Sequence, residues 1–159
     1  RINLNNELNK ISLFLLNKKK INIDDVIKLT NLAENYSISE LADNCLSKNI
    51  KNINKIFNEN VFSIDDCILI VRTLLLKSKR LLEIKKTYNS NKNIDQIISS
   101  YKPPIFWKDK EIVKNQASKW SLKDTEKLIY KIYDIELMVK KNYYNSLNIV
   151  SDFILNTAK

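Results

Sequence analysis

Glycine and histidine are both absent from this chain of 159 residues, proline occurs twice, and alanine only four times. A chain without glycine cannot build a Walker-A loop, a dinucleotide fingerprint or a nucleophile elbow. Each needs a positive φ or a close backbone approach that only glycine supplies readily. Missing histidine removes the usual general base, the commonest metal ligand and any Ser-His or Cys-His nucleophile pair. Catalysis would have to run on carboxylates or lysines alone, so no catalytic residue, metal ligand or cofactor is expected. Scarce glycine and proline also exclude sheets joined by tight turns. Helices tolerate the shortage, because asparagine can serve at a helix C-terminus. Long apolar runs are missing too, and nothing approaches the ~18 residues a membrane helix needs. The run Ile11–Leu16 is short and leads into Lys18-Lys19-Lys20, unlike a secretory leader. A cytoplasmic, all-α protein is the expectation, and the opening at Arg1 rather than Met suggests a piece of a longer one.

Lysine, asparagine and isoleucine together supply 69 of the 159 residues, a bias that fits codon drift in an AT-rich genome. The net charge of +9 invites a nucleic-acid or anionic-membrane partner. Its distribution is even, however: +2 over residues 1–34, +3 over 35–101 and +4 over 102–159. One dense cluster stands out, Lys77, Lys79, Arg80, Lys85 and Lys86, opposed only by Glu83. A solvated helix face explains such a cluster more often than a phosphate track does. Cys45 and Cys67 lie among apolar residues at helical spacing, which reads as two buried free thiols in a reducing compartment.

Helix starts are legible. Asn22 precedes Asp25, Ser37 precedes Glu40, Ser63 precedes Asp66 and Ser121 precedes Asp124, each by three residues. In that spacing the first side chain accepts from an orphan N–H while the acid reaches back or complements the helix dipole. Asn93 and Ser146 are expected to cap two further helices. The spacing predicts helices near 4–16, 23–30, 38–47, 50–59, 64–88, 94–100, 109–119, 122–141 and 146–157, and no strand. The first half of the 64–88 helix is apolar nearly all round, which suits a central position or a partner subunit. Ile70, Leu74 and Leu76 are its candidate interface residues. In the 122–141 helix, Leu122, Ile129, Ile132, Tyr133 and Glu136 are expected on one side. A boundary is expected at Ala33–Tyr36, separating residues 1–34, too little for a core, from a bundle over 35–159.

The stretch Lys102–Lys141 holds both prolines and both tryptophans. Pro103-Pro104 breaks the chain, Ile105-Phe106-Trp107 follows, and two helices then meet at Trp120-Ser121-Leu122, the second ending Glu136-Leu137-Met138-Val139-Lys140. That order resembles the C-terminal domain of the delta subunit of the bacterial DNA polymerase III clamp loader. Asn6–Lys10 and Ile23–Val26 are similar to the end of that family's small lid domain, Ser37–Asp43 to its entry into the C-terminal collar, and Val71–Leu75 to the long helix after it. Where the family often has glycine-containing loops, this chain has Lys18–Lys20 and Asn89–Asn93.

The resemblance implies the second half of a lid domain followed by an entire collar. It implies a clamp-loader component that does not hydrolyse ATP, whose collar joins gamma/tau and delta-prime subunits in a ring. The sliding clamp would be met only through a separate N-terminal domain. Primed DNA would be met in the assembled complex, with Trp107 and Tyr143 as stacking candidates and Lys140 and Lys141 beside a phosphate. Against that role, Trp107 could lie on Phe106 and Ile105 as a lid, and Tyr143 could be a plain helix-end aromatic. Two further readings compete: a free-standing basic α-helical nucleic-acid-binding module, and an α-helical interaction domain unrelated to replication.

Overall fold

A computed structural model describes residues 2–17, 20–23, 25, 26, 32–88 and 93–159. Among these residues the chain is all-helical, with eight α-helices and no strand. It divides into two compact units, Arg1–Ser37 and Ile38–Lys159.

Within the first unit, α1 spans Ile2–Asn17. The helix expected over 23–30 lies largely outside the described residues. At its start the Asn22 N–H donates to Asp25 Oδ2 at 3.2 Å, the backward reach expected of the acid.

The second unit is a bundle of α2 (Leu32–Leu46, which begins in the first unit), α3 (Ile50–Glu59), α4 (Ile64–Tyr88), α5 (Ile94–Ser100), α6 (Lys110–Lys119), α7 (Leu122–Lys141) and α8 (Ser146–Thr157). Short 3-10 turns at Trp107–Asp109 and Tyr143–Asn145 lead into α6 and α8. Local chemistry sets most of the starts. The Ser63 hydroxyl accepts from Asp66 N–H at 3.2 Å while Ser63 N–H donates to the Asp66 carboxylate at 2.8 Å, closing a reciprocal box at α4. Ser121 caps α7 by accepting from Asp124 N–H at 3.1 Å, and Asn93 caps α5 at 3.2 Å.

Two expected caps fail. α2 already runs from Leu32, so Ser37 and Glu40 lie inside it, and Ser39 is held from outside by Lys77. A capping box sets a start only where the residues before it leave the helical conformation. Ser146 is likewise the first residue of α8 rather than its cap. It is fully buried, and its hydroxyl donates back to the Tyr143 carbonyl at 2.6 Å.

α4 is the axis of the unit. Cys67, Ile70, Val71, Leu74 and Leu81 join the larger core with α2, α3, α7 and α8, and Ile84 joins a smaller cluster with Ile97, Ile98, Ile105 and Val113. Asp43 ties three helices together: its carboxylate pairs with Lys77 of α4 and accepts from Gln116 of α6 at 3.1 Å. Both cysteines are buried and free, and burial pushes the Cys45 thiol up to about 12. On α7 the buried face is Thr125, Leu128, Ile129, Ile132 and Val139; of the residues expected on one side, Ile129 and Ile132 lie on that face, while Tyr133 is 41% exposed beneath the Lys79 ammonium.

Candidate functional site: the hinge, the exposed aromatics and a lysine basin

The Trp-Ser-Leu hinge is a docking device for the end of α2. In a chain without glycine, α2 ends on Lys48 in the left-handed region, φ 51°, the position glycine usually takes. Lys48 N–H donates to the Cys45 carbonyl at 3.1 Å and Asn49 N–H to the Asn44 carbonyl at 2.9 Å, a Schellman pair. Two carbonyls remain, and the hinge tryptophan and the last residue of α6 supply the donors. The Trp120 indole N–H reaches Leu46 O at 2.7 Å, and Lys119 Nζ reaches Ser47 O at 2.6 Å. Trp120 is therefore buried, with the Lys48 ammonium 4.9 Å from its ring centroid.

The aromatic candidates face outward but apart. Trp107 is 69% exposed; Phe106 lies tilted at 5.8 Å on one side and the Lys108 ammonium sits 5.3 Å from its ring. Ile105, two residues earlier, turns inward instead. Tyr143 is half-exposed, and its hydroxyl donates to Asp65 Oδ1 at 3.1 Å, a bond that also raises its pKa. Lys140 pairs with Glu136 at 2.7 Å, and Lys141 is exposed. Asp65 and Ile84, the α4 residues beside these two sites, are separated by about 28 Å of helix at 1.5 Å per residue. Trp107 and Tyr143 thus stand near opposite ends of α4, too far apart to stack on adjacent bases.

The candidate interface residues separate as well. Ile70 and Leu74 point into the core with 0% and 1% exposure, so neither is available to a partner. The expectation of an interface fails at both because α4 is wrapped by its own chain on the side they occupy. Leu76 is 70% exposed, and Leu69 is half-exposed.

A basin of about 360 Å³ was not anticipated from sequence. It is lined by Lys48 after α2, Lys119 at the end of α6 and Trp120 after it, Asp124, Lys127, Leu128 and Lys131 of α7, and the end of α8 with Lys159. Five lysines thus face one carboxylate, and Asp124 already accepts the Ser121 hydroxyl at 2.6 Å. Lys119 is held by Ser47 O and Lys159 by the Asn156 side chain at 3.0 Å. Lys127 and Lys131, both at the surface, have no partner among the described residues. The spacing of Lys123, Lys127 and Lys131 on a predicted helix was the one signal for it.

The chain has no significant match among family models, curated proteins or solved structures. Among the described residues no helix is long and apolar enough to cross a membrane, and no group of acids and cysteines could hold a metal ion. The described surface presents an exposed aromatic turn at Phe106 and Trp107, two exposed leucines on α4, Leu69 and Leu76, and the lysine-lined basin.

Proposed function

We propose that this chain is an assembly module of the clamp-loader type, the C-terminal part of a delta subunit of bacterial DNA polymerase III. The observation that carries the reading is the order of Lys102–Lys141, from Pro-Pro through the aromatic cluster and the Trp-Ser-Leu hinge to Glu136–Lys140. An all-helical bundle in which Trp120 turns inward and Ser121 caps α7 is compatible with a collar built on that order. In this reading residues 1–34 are the end of a lid domain and 35–159 the collar, which joins gamma/tau and delta-prime without hydrolysing ATP. Leu76 and its exposed neighbours on α4 meet the adjacent subunit. Trp107 meets primed DNA in the assembled loader and Tyr143 does so independently, from the other end of α4 with Lys140 and Lys141.

The test is assembly. The chain is mixed at micromolar concentration with the C-terminal domains of gamma/tau and delta-prime and followed by size-exclusion chromatography. Co-elution, weakened by Leu76→Asp, is the expected result. Independent elution of all components sinks the reading. Loading of a clamp onto primed DNA by a complete loader carrying Trp107→Ala or Tyr143→Ala then tests each DNA contact. Loading at the parental rate removes that contact.

A free-standing nucleic-acid-binding module is the second reading, and the lysine basin favours it.

A further inference from the structure

We infer that the basin formed by Lys48, Lys119, Lys127, Lys131 and Lys159 binds the phosphate backbone of a nucleic-acid strand. The inference rests on the basin alone and stands or falls independently of the clamp-loader reading.

Four separate segments deliver these amines to one cavity, although only their convergence in the fold brings them together. Five ammonium groups line about 360 Å³ with one acidic side chain, Asp124, among them, so the cations outnumber the acid and repel one another. A bound polyanion relieves that repulsion and releases the counterions that otherwise screen it. Two of the amines, on Lys127 and Lys131, carry no competing partner among the described residues and are free to move onto a ligand. The backbone at Lys48 points the same way. Its left-handed conformation costs a non-glycine residue roughly 1 kcal/mol, and it puts the ammonium over Trp120 at the basin wall.

The ligand class follows from shape and residue type. Lys123, Lys127 and Lys131 recur every four residues along α7, steps of about 6 Å, so the positive row continues out of the cavity. A row suits a linear polyanion better than a single small anion. Tyr130, 72% exposed on the same helix, offers a free ring face beside it for an unpaired base. The amines are all lysine, point charges without the planar fork that reads base edges, so binding is to phosphate and indifferent to sequence. A bilayer is the poorer fit. The apolar lining residues, Trp120 and Leu128, are buried and cannot insert.

The test is fluorescence anisotropy of a labelled single-stranded oligonucleotide titrated with the whole chain over a salt series. Lys127→Glu with Lys131→Glu should weaken binding about tenfold or more at low salt. The same pair should flatten the salt slope by about 1.4, which is 0.7 for each phosphate no longer neutralised. Lys85→Glu with Lys86→Glu changes the net charge equally in the denser basic cluster outside the basin, and should change the affinity less than about twofold. Circular dichroism should show the fold intact in both, since all four side chains are solvent-facing or half-buried at the surface. Equal losses of affinity in the two double variants would mean diffuse charge and overturn the site. So would the absence of oligonucleotide binding at low salt. Inorganic phosphate displacing the oligonucleotide at equal phosphate concentration would overturn the strand as ligand. Basin-dependent sedimentation with anionic vesicles, without oligonucleotide binding, would assign the site to a lipid surface instead.

Discussion

Replacing Trp120 with phenylalanine keeps an aromatic ring in the core and deletes one donor, the indole N–H that reaches Leu46 O at 2.7 Å. The Schellman pair satisfies the carbonyls of Asn44 and Cys45, so nothing else in the turn can take over this acceptor. A buried carbonyl left unsatisfied costs about 1–3 kcal/mol. The smaller ring adds a cavity and weakens the attraction of the Lys48 ammonium, together about 1 kcal/mol. The sum, roughly 2–4 kcal/mol, should lower the melting temperature by about 8–15 °C for a unit of this size. Trp107→Phe is the matched control. With Trp107 69% exposed and its N–H in no hydrogen bond among the described residues, the change should stay within about 0.5 kcal/mol. Urea unfolding should be followed by far-ultraviolet circular dichroism, because each substitution removes a fluorescent reporter. Equal midpoints for the two variants would refute the hinge as an anchor for α2. A changed denaturant slope would show that the substitution altered the compactness of a state rather than one bond.

The two ends of the interface expectation should behave oppositely: Ile70→Ala should cost about 2–4 kcal/mol in urea unfolding, whereas Leu76→Ala should stay within about 0.5 kcal/mol. Equal costs would contradict the packing of α4. Stability should also fall at alkaline pH. Burial raises the Cys45 thiol from 9.0 to about 12, so the unfolded chain loses this proton first and stability declines between those values. Cys45→Ala should lower stability at pH 8 yet flatten the decline above pH 9, read from denaturation midpoints. An unchanged pH slope would show that the thiol is not the group responsible.

How much of this was legible in sequence depends on whether the deciding interaction is local. The bounds of α3, α4, α5, α7 and α8 agree with the expected ranges residue for residue, and for α4, α5 and α7 the starts follow from caps at Ser63, Asn93 and Ser121 that act within one turn of themselves. Ser37 carries the same local signal and fails, since the helix through Leu32–Leu46 is continuous and Lys77, distant in sequence, takes Ser39. Apolar periodicity placed α4 at the centre but could not say which of its sides the chain itself would cover. That is why Ile70 and Leu76 looked alike. The basin was the least legible, as its five lysines come from four segments and meet only after α2, α6, α7 and α8 have packed.

Lys48 sets folding and recognition against each other at one residue. Glycine there would relax the left-handed turn by roughly 1 kcal/mol, a gain offset in part by loss of the cation that lies over Trp120. Selection for stability alone would favour the replacement, and a screen for thermostable variants should recover it early. Those variants would hold their fold to higher temperature and their anionic ligand less tightly. A lineage that retains a side chain at this position keeps a less stable turn in exchange for charge at the mouth of the basin.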